Sequence, residues 1–152
     1  MHFERLGRGE LVAAAGGLLL AVCLFLPWYR TDSDNPNAMV DGATGGVSGF
    51  EVHSILRWLL LLAAIAPWIL IWIVIRDHEL SWPRGELTAV AAIAAFGLVG
   101  YVGILDRPGE PSGAISLAAG YYGALLGTVL MIAGGAMTAG QTERTRKPPG
   151  VL

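Results

Sequence analysis

ILRWLLLLAAIAPWILIWIVI, residues 55–75, is a run in which Arg57 is the only charged side chain. Crossing about 30 Å of hydrocarbon takes about 20 mostly apolar residues, so this stretch predicts a transmembrane helix. Three further runs have the same character: Leu11 to Trp28, Leu87 to Leu105 and Ala114 to Met137. Arg57 lies one turn from the start of its run, where a long side chain can snorkel to the headgroups. The expected fold is therefore an all-α membrane protein: an antiparallel bundle of four transmembrane helices over 1–139, with spans at about 11–28, 55–75, 87–105 and 114–137. A basic tail, 140–152, is expected to be disordered.

Composition agrees. The chain has 152 residues, 54% of them hydrophobic and only 14% charged, against about 25% charged in ordinary soluble domains. Its 21 glycines have no three-residue period and no Ser/Pro background, which excludes collagen and flexible linker. Ten Lys and Arg spread over both ends and two loops, at a net charge of -2, make no basic stripe, so nucleic acid is excluded as a partner. One cysteine makes neither an internal disulfide nor a CxxC pair.

Orientation follows from basic residues in the short flanks. Arg5, Arg8, Arg76, Arg84, Arg144, Arg146 and Lys147 fall on one side. Arg30, Arg57 and Arg107 fall on the other, among Asp32, Asp34, Asp41, Glu51, Asp106 and Glu110. Seven against three puts both termini in the cytoplasm of a multi-pass cell-membrane protein. Trp28, Tyr29, Trp58 and Tyr101 are expected as interface anchors on the outer side and Trp82 on the inner side. Trp68 and Trp72, one turn apart, face lipid or pack. Arg5 and Arg8 before an apolar run also resemble a signal peptide. Val22 before Cys23 is too bulky for a cleavage box, and the chain stays apolar beyond it, so Cys23 is read as a small buried hydrophobe.

The longest connection, Tyr29 to His53, is acidic and glycine-rich. Asp41-Gly42 marks a tight hairpin turn there, and flexible loop is the alternative. Ser81 is placed as the N-cap of the third helix, with Pro83 in its first turn. Pro67 should kink the second helix. Membrane helices associate through small residues, and such faces occur at Ala13, Gly17 and Ala21, at Gly97, Gly100 and Gly103, and at Ala119, Gly123, Gly127 and Gly135. Each is either an internal seam or a surface for a partner.

Residues that could carry chemistry are few. Glu10 and Glu86 sit at helix N-termini, where the dipole favours a carboxylate. His2 and His78 lie on the opposite side from His53. Asp41, Glu51, His53 and Asp106 could meet on the outer face and hold a hard cation or zinc, but a solvated acidic loop is the plainer reading, so no cofactor or metal is expected. Ser48, Ser54 and Ser112 have no paired base nearby.

Leu26-Pro27-Trp28-Tyr29, a glycine-rich loop and Ser48-Gly49-Phe50-Glu51 together resemble a pattern in uncharacterised small bacterial four-span membrane proteins, in which Trp is usual at the position of Phe50. The resemblance covers the first two spans and implies no activity. It suggests that Pro27 ends the first helix and that Phe50 packs back on Trp28, closing the loop as a lid. The expected function is a non-enzymatic structural or accessory subunit in the lipid bilayer, associating through small-residue faces with a second copy or another membrane protein. The alternative is a small transporter or channel subunit running along Pro67 and the glycine-rich third and fourth helices. A lipid enzyme using Asp41, Glu51 or His53 would need those groups to converge.

Overall fold

A computed structural model describes residues 6–76, 83 and 85–146, with side chains through Gln141. The chain is mostly helical. In order it forms α1 (Arg8–Leu24), β1 (Pro27–Thr31), β2 (Gly46–Ser48), α2 (Gly49–Val52), α3 (Leu56–Ile75), α4 (Glu86–Ile104), a 3-10 turn at Ser112–Ala114, β3 (Ile115–Leu117) and α5 (Ala119–Arg146). Three helical stretches, Leu56–Ile75, Glu86–Ile104 and Ala119–Gln141, are long and apolar enough to cross a membrane. Leu18, Leu62, Val90 and Leu126 stand more than half exposed on the outward faces, a sheath compatible with lipid as the solvent.

The simple four-helix expectation is corrected in two ways. There are five helices among the described residues, α2 being a single turn, and there is a three-stranded sheet in the order β2-β1-β3. Both pairings are antiparallel, with Tyr29 opposite Val47 on one side and Leu117 on the other. Helix periodicity could not disclose strands this short: β2 and β3 have three residues each. Element boundaries shift accordingly. The first helix stops at Leu24, short of Trp28, because Pro27 begins a strand. The fourth expected span starts at Ala119 and not Ala114, because Ile115–Leu117 pairs with β1. At its far end α5 runs on to Arg146, through the start of the expected tail. Asp41 and Gly42 both take positive φ, 51° and 79°, as a two-residue hairpin turn requires, and Val40 and Ala43 exchange both backbone hydrogen bonds across them at 2.9 Å. The α4 N-cap is Gly85, at φ 91°, where a methyl would stand against the Gly135 carbonyl and Thr138. Ser81 and Trp82 lie outside the described residues.

Backbone proximity sets the packing. A Cβ on Gly16 would lie 2.6 Å from the Gly127 carbonyl oxygen, and one on Gly127 would lie 2.8 Å from the Gly16 carbonyl oxygen and from Leu20 N. Gly9 and Gly134 repeat the contact one heptad away, and Cys23 lies on Gly123 at the other end. The pairs run in opposite directions along the two helices, so α1 and α5 are antiparallel with touching backbones. Gly17 meets Ala64 and Pro67 of α3, and Gly135 meets Ala89 of α4. Pro67 is buried inside α3, its ring facing this glycine. At the other end of α1, Glu10 reaches back to accept the Gly7 N–H at 2.6 Å, the cap its position suggests.

A leucine at Gly127 has nowhere to go but against the α1 backbone. Gly127→Leu should destabilise the protein by about 1–3 kcal/mol or more, read as a lowered thermal midpoint in mild detergent. Gly97, with no atom near its open side, should accept leucine without that loss; equal damage at both positions would refute the seam.

Candidate functional site: the aromatic cap

One end of the helices is closed by the sheet and its loops. β1 carries a register shift between Pro27 and Tyr29. Such a bulge interrupts the alternation of a strand, so Trp28 and Tyr29, although consecutive, both turn inward and are fully buried. Both were expected as interface anchors, and the bulge is the reason they are core residues instead. The indole Nε1–H of Trp28 donates to the Cys23 carbonyl at 2.8 Å, tying the strand to the last turn of α1. Beneath it lies Gly49, where a Cβ would come 2.5 Å from the indole ring. The backbone oxygen of Trp28 accepts Ala118 N–H at 2.7 Å, and its ring meets Tyr121 edge-on at 5.8 Å.

Phe50 does not pack on Trp28 as the sequence suggests, because Gly49 already occupies that face. It stacks on Phe25, 4.7 Å between centroids and 28° between planes. Ser48 caps α2: Glu51 N–H donates to Ser48 Oγ at 3.2 Å, and the Glu51 carboxylate accepts the Ser48 N–H at 3.0 Å and its hydroxyl at 2.8 Å. Those hydrogen bonds hold the Glu51 carboxyl below its ordinary pKa. The rest of the loop joins the connection after α4 through Met39 and Glu110, which pair by two backbone bonds of 3.0 and 2.9 Å.

At the centre is a polar contact between elements distant in sequence. Tyr29 Oη donates to the Val102 carbonyl at 3.2 Å and lies 2.9 Å from His53 Nε2. A phenol has one proton. Directed at Val102, it leaves the oxygen to accept, so His53 Nε2 carries the hydrogen and any added proton must go to Nδ1. Burial pushes the Tyr29 hydroxyl pKa up. Burial also lowers that of His53, opposed by the charge of Asp106. Arg107 ties the same region together, donating from Nε to the Gly103 carbonyl at 3.2 Å and from Nη1 to the Ile115 carbonyl at 3.0 Å. Tyr121 packs tightly on Gly103 with its hydroxyl buried.

The acidic residues gather only in part: Asp41 and Glu51 line one small pocket, and the charge of Asp106 reaches His53. Glu51 is held by Ser48, Asp41 sits at the hairpin tip, and His53 turns to Tyr29; among the described residues no group of three His, Cys, Asp or Glu could hold a metal ion. The small-residue positions divide sharply. Ala13 is buried, and Gly17, Gly103, Gly123, Gly127 and Gly135 each meet a neighbouring helix, whereas Gly97 and Gly100 have open space where a side chain would be. Ala21 is half-buried and Ala119 is exposed at the head of α5. Trp58 and Tyr101, expected at the membrane boundary, are 59% and 51% exposed. Trp68 and Trp72 are exposed as well, with the Arg76 guanidinium 5.5 Å from the Trp72 ring. Comparison with known protein families, curated proteins and solved structures finds no match.

The His53 contact has a pH signature. Because its folded pKa lies below the ordinary 6.5, the unfolded chain binds more protons as the medium acidifies, and stability falls as pH drops below about 6.5. Melting between pH 7.5 and 5 should show that decline, and His53→Gln should flatten it. An unchanged slope in the variant would remove His53 as its source. Tyr29→Phe, which leaves the Val102 carbonyl and His53 without their partner, should cost about 1–3 kcal/mol, visible as a lower midpoint at pH 7.5.

Proposed function

We propose that this chain is a four-span integral membrane protein of the cell membrane, with both termini in the cytoplasm. It acts without catalysis, as a structural or accessory subunit that docks a transmembrane helix of another membrane protein on α4. The observation that carries this reading is the state of its glycines. Where α1 meets α5 and α3, and where α5 meets α4, a glycine is already in use: Gly16 with Gly127, Gly9 with Gly134, Gly17 with Ala64, Gly135 with Ala89. Gly97 and Gly100, in the middle of α4, are open to the outside, as is Gly140 towards the far end of α5.

They sit in a repeat. Val90, Ile93, Gly97, Gly100 and Ile104 succeed one another at spacings of three and four, which places them on one helix face. Val90, Ile93 and Ile104 are 62%, 57% and 73% exposed. Bulky residues at the ends and glycines in the middle make a shallow notch, the shape that lets a second helix approach at backbone distance. Glycine in an exposed helix interior costs about 1 kcal/mol relative to alanine, and contact with a partner helix would offset that cost. α1 is shorter than the other spans, but Trp28 and Tyr29 continue it into the cap, so the first crossing would be completed by the sheet at the outer boundary. The resemblance of the Leu26–Tyr29 and Ser48–Glu51 segments to small bacterial four-span proteins points the same way.

Two measurements test this. In a Cys23→Ala background, a cysteine placed at Asp34 should react with an impermeant thiol reagent from the outside of intact cells; reaction only after the cytoplasmic side is opened would overturn the orientation. Gly97→Leu and Gly100→Leu should leave the thermal midpoint unchanged while abolishing crosslinks to the partner helix in the native membrane. Crosslinks that survive both changes would reject α4 as the docking face.

A further inference from the structure

Arg57 is the one charged residue within the apolar runs, and its surroundings are unusual for a structural arginine. Its Nη1 donates to the Phe50 carbonyl at 3.3 Å, and its guanidinium carbon lies 4.9 Å from the Phe50 ring and 5.5 Å from the Trp58 ring. Phe50 in turn stacks on Phe25, and Trp58 meets Phe50 edge-on at 6.0 Å. Phe25 and Trp58 are 57% and 59% exposed, so the three rings form an exposed apolar shelf with a cation set into it.

The guanidinium has five N–H donors, and one is used. Nε is buried without a partner, and no carboxylate among the described residues pairs with the group. Arg57 also stands in the first turn of α3, which carries no acidic residue, and the positive end of the helix dipole adds to the same sign. Cation–π contacts use the faces of a guanidinium and leave its in-plane donors for hydrogen bonding. What is missing is an anion with several acceptor oxygens, and the charge complement of a planar donor fork is a phosphate or carboxylate.

We infer that Arg57, framed by Phe25, Phe50 and Trp58, is a binding site for the phosphodiester of a membrane phospholipid. The inference rests on the membrane reading above, which puts this shelf at the level of the headgroups: aromatic rings collect there, and Arg57 begins a helix long enough to cross the bilayer. The phosphate sits on the free Nη donors, with the upper acyl chain along Phe25 and Trp58. A soluble anion would gain the charge pair but nothing from the rings, so a lipid is the ligand the whole site fits.

The test uses the full chain purified in mild detergent and titrated with short-chain phosphatidylglycerol, with the matching diacylglycerol that lacks phosphate, and with inorganic phosphate. Bound lipid is read by native mass measurement and by the shift in thermal midpoint. The expected result is saturable retention of phosphatidylglycerol, little of the diacylglycerol and no response to inorganic phosphate. Arg57→Gln should weaken retention about tenfold or more, as loss of a charge-assisted hydrogen-bonded pair implies. Arg57→Lys, which keeps the charge but not the fork, should fall between the two, and it replaces Arg57→Gln as the deciding variant if the latter does not fold. Equal retention by wild type and the deciding variant overturns the site. So does binding of diacylglycerol as strong as that of phosphatidylglycerol, and an equal response to inorganic phosphate overturns the lipid assignment. An alkaline wash of native membranes keeps the two readings apart: release of the protein rejects the membrane reading, while a protein that stays in the pellet and binds lipid independently of Arg57 rejects this inference alone.

Discussion

The backbone contact between α1 and α5 is the constraint on which the rest of the molecule depends. Gly9 and Gly16 on one helix, Gly127 and Gly134 on the other, leave no Cβ between them, so the two helices lie closer than any side-chain-bearing pair can. Lipid tails match leucine in apolarity, and burying leucine therefore gives membrane helices little reason to associate; close approach, with its dispersion contacts, supplies that reason. The consequence reaches beyond the helices. α1 runs directly into β1 and α5 is preceded directly by β3, so bringing those two helix ends together sets the two strands side by side. A three-residue strand such as β3 has little stability of its own. Held at the mouth of the α1–α5 seam, it need only pair.

The cap is thus an extension of the seam, and its aromatic interior stems from one irregularity in β1. A regular strand would send Trp28 to one face and Tyr29 to the other, exposing one of them. The bulge turns both inward, where Trp28 reaches Cys23 on α1 and Tyr29 reaches Val102 on α4 and His53 beyond α2. One dipeptide in this way connects three helical elements. Gly49 and Gly120 are the complements that make room: the first lies under the Trp28 ring, the second against the Pro27 carbonyl, where a Cβ would stand at 2.6 Å. Two large residues facing inward from one strand require neighbours without side chains.

Much of the helical scaffold was legible because hydropathy over some twenty residues is a strong signal, and the ends of α3 and α4 fall within a residue of the sequence reading. The seam was legible in kind but not in register. Four-residue spacings such as Ala13, Gly17 and Ala21 draw the eye, whereas the α1 side of the contact with α5 repeats every seven residues, Gly9, Gly16 and Cys23, against Gly134, Gly127 seven residues earlier and Gly123 one turn beyond. A seven-residue spacing is the period of helices that stay in contact over many turns, and in a chain with 21 glycines it is hidden among shorter coincidences. The sheet was hidden for a different reason. The pairing of β1 with β3 joins residues almost ninety positions apart, Arg30 to Ser116 for instance, and no local pattern encodes a partner at that distance.

The aromatic residues were legible as a class but not as individuals. Trp28 and Trp58 are both tryptophans at the ends of apolar runs, and composition gives them the same role. The elements that carry them set them apart. Trp28 belongs to a strand that pairs on both edges, so its indole is drawn under the sheet; Trp58 lies in the first turn of a helix whose inner face is taken by Leu60 and Ala64, so its ring is left outside with Phe50 and Arg57. That difference separates the two regions chemically. Inside the cap every ring has a partner from another element, and Trp28 Nε1, Tyr29 Oη and His53 Nε2 bond one another or the backbone, the buried Tyr121 hydroxyl being left without a partner among the described residues. Outside it, at Arg57, the Phe25 and Trp58 rings are exposed and most of the donors have no acceptor among the described residues, so the inner group fixes the fold and the outer group is the one left to meet the surroundings.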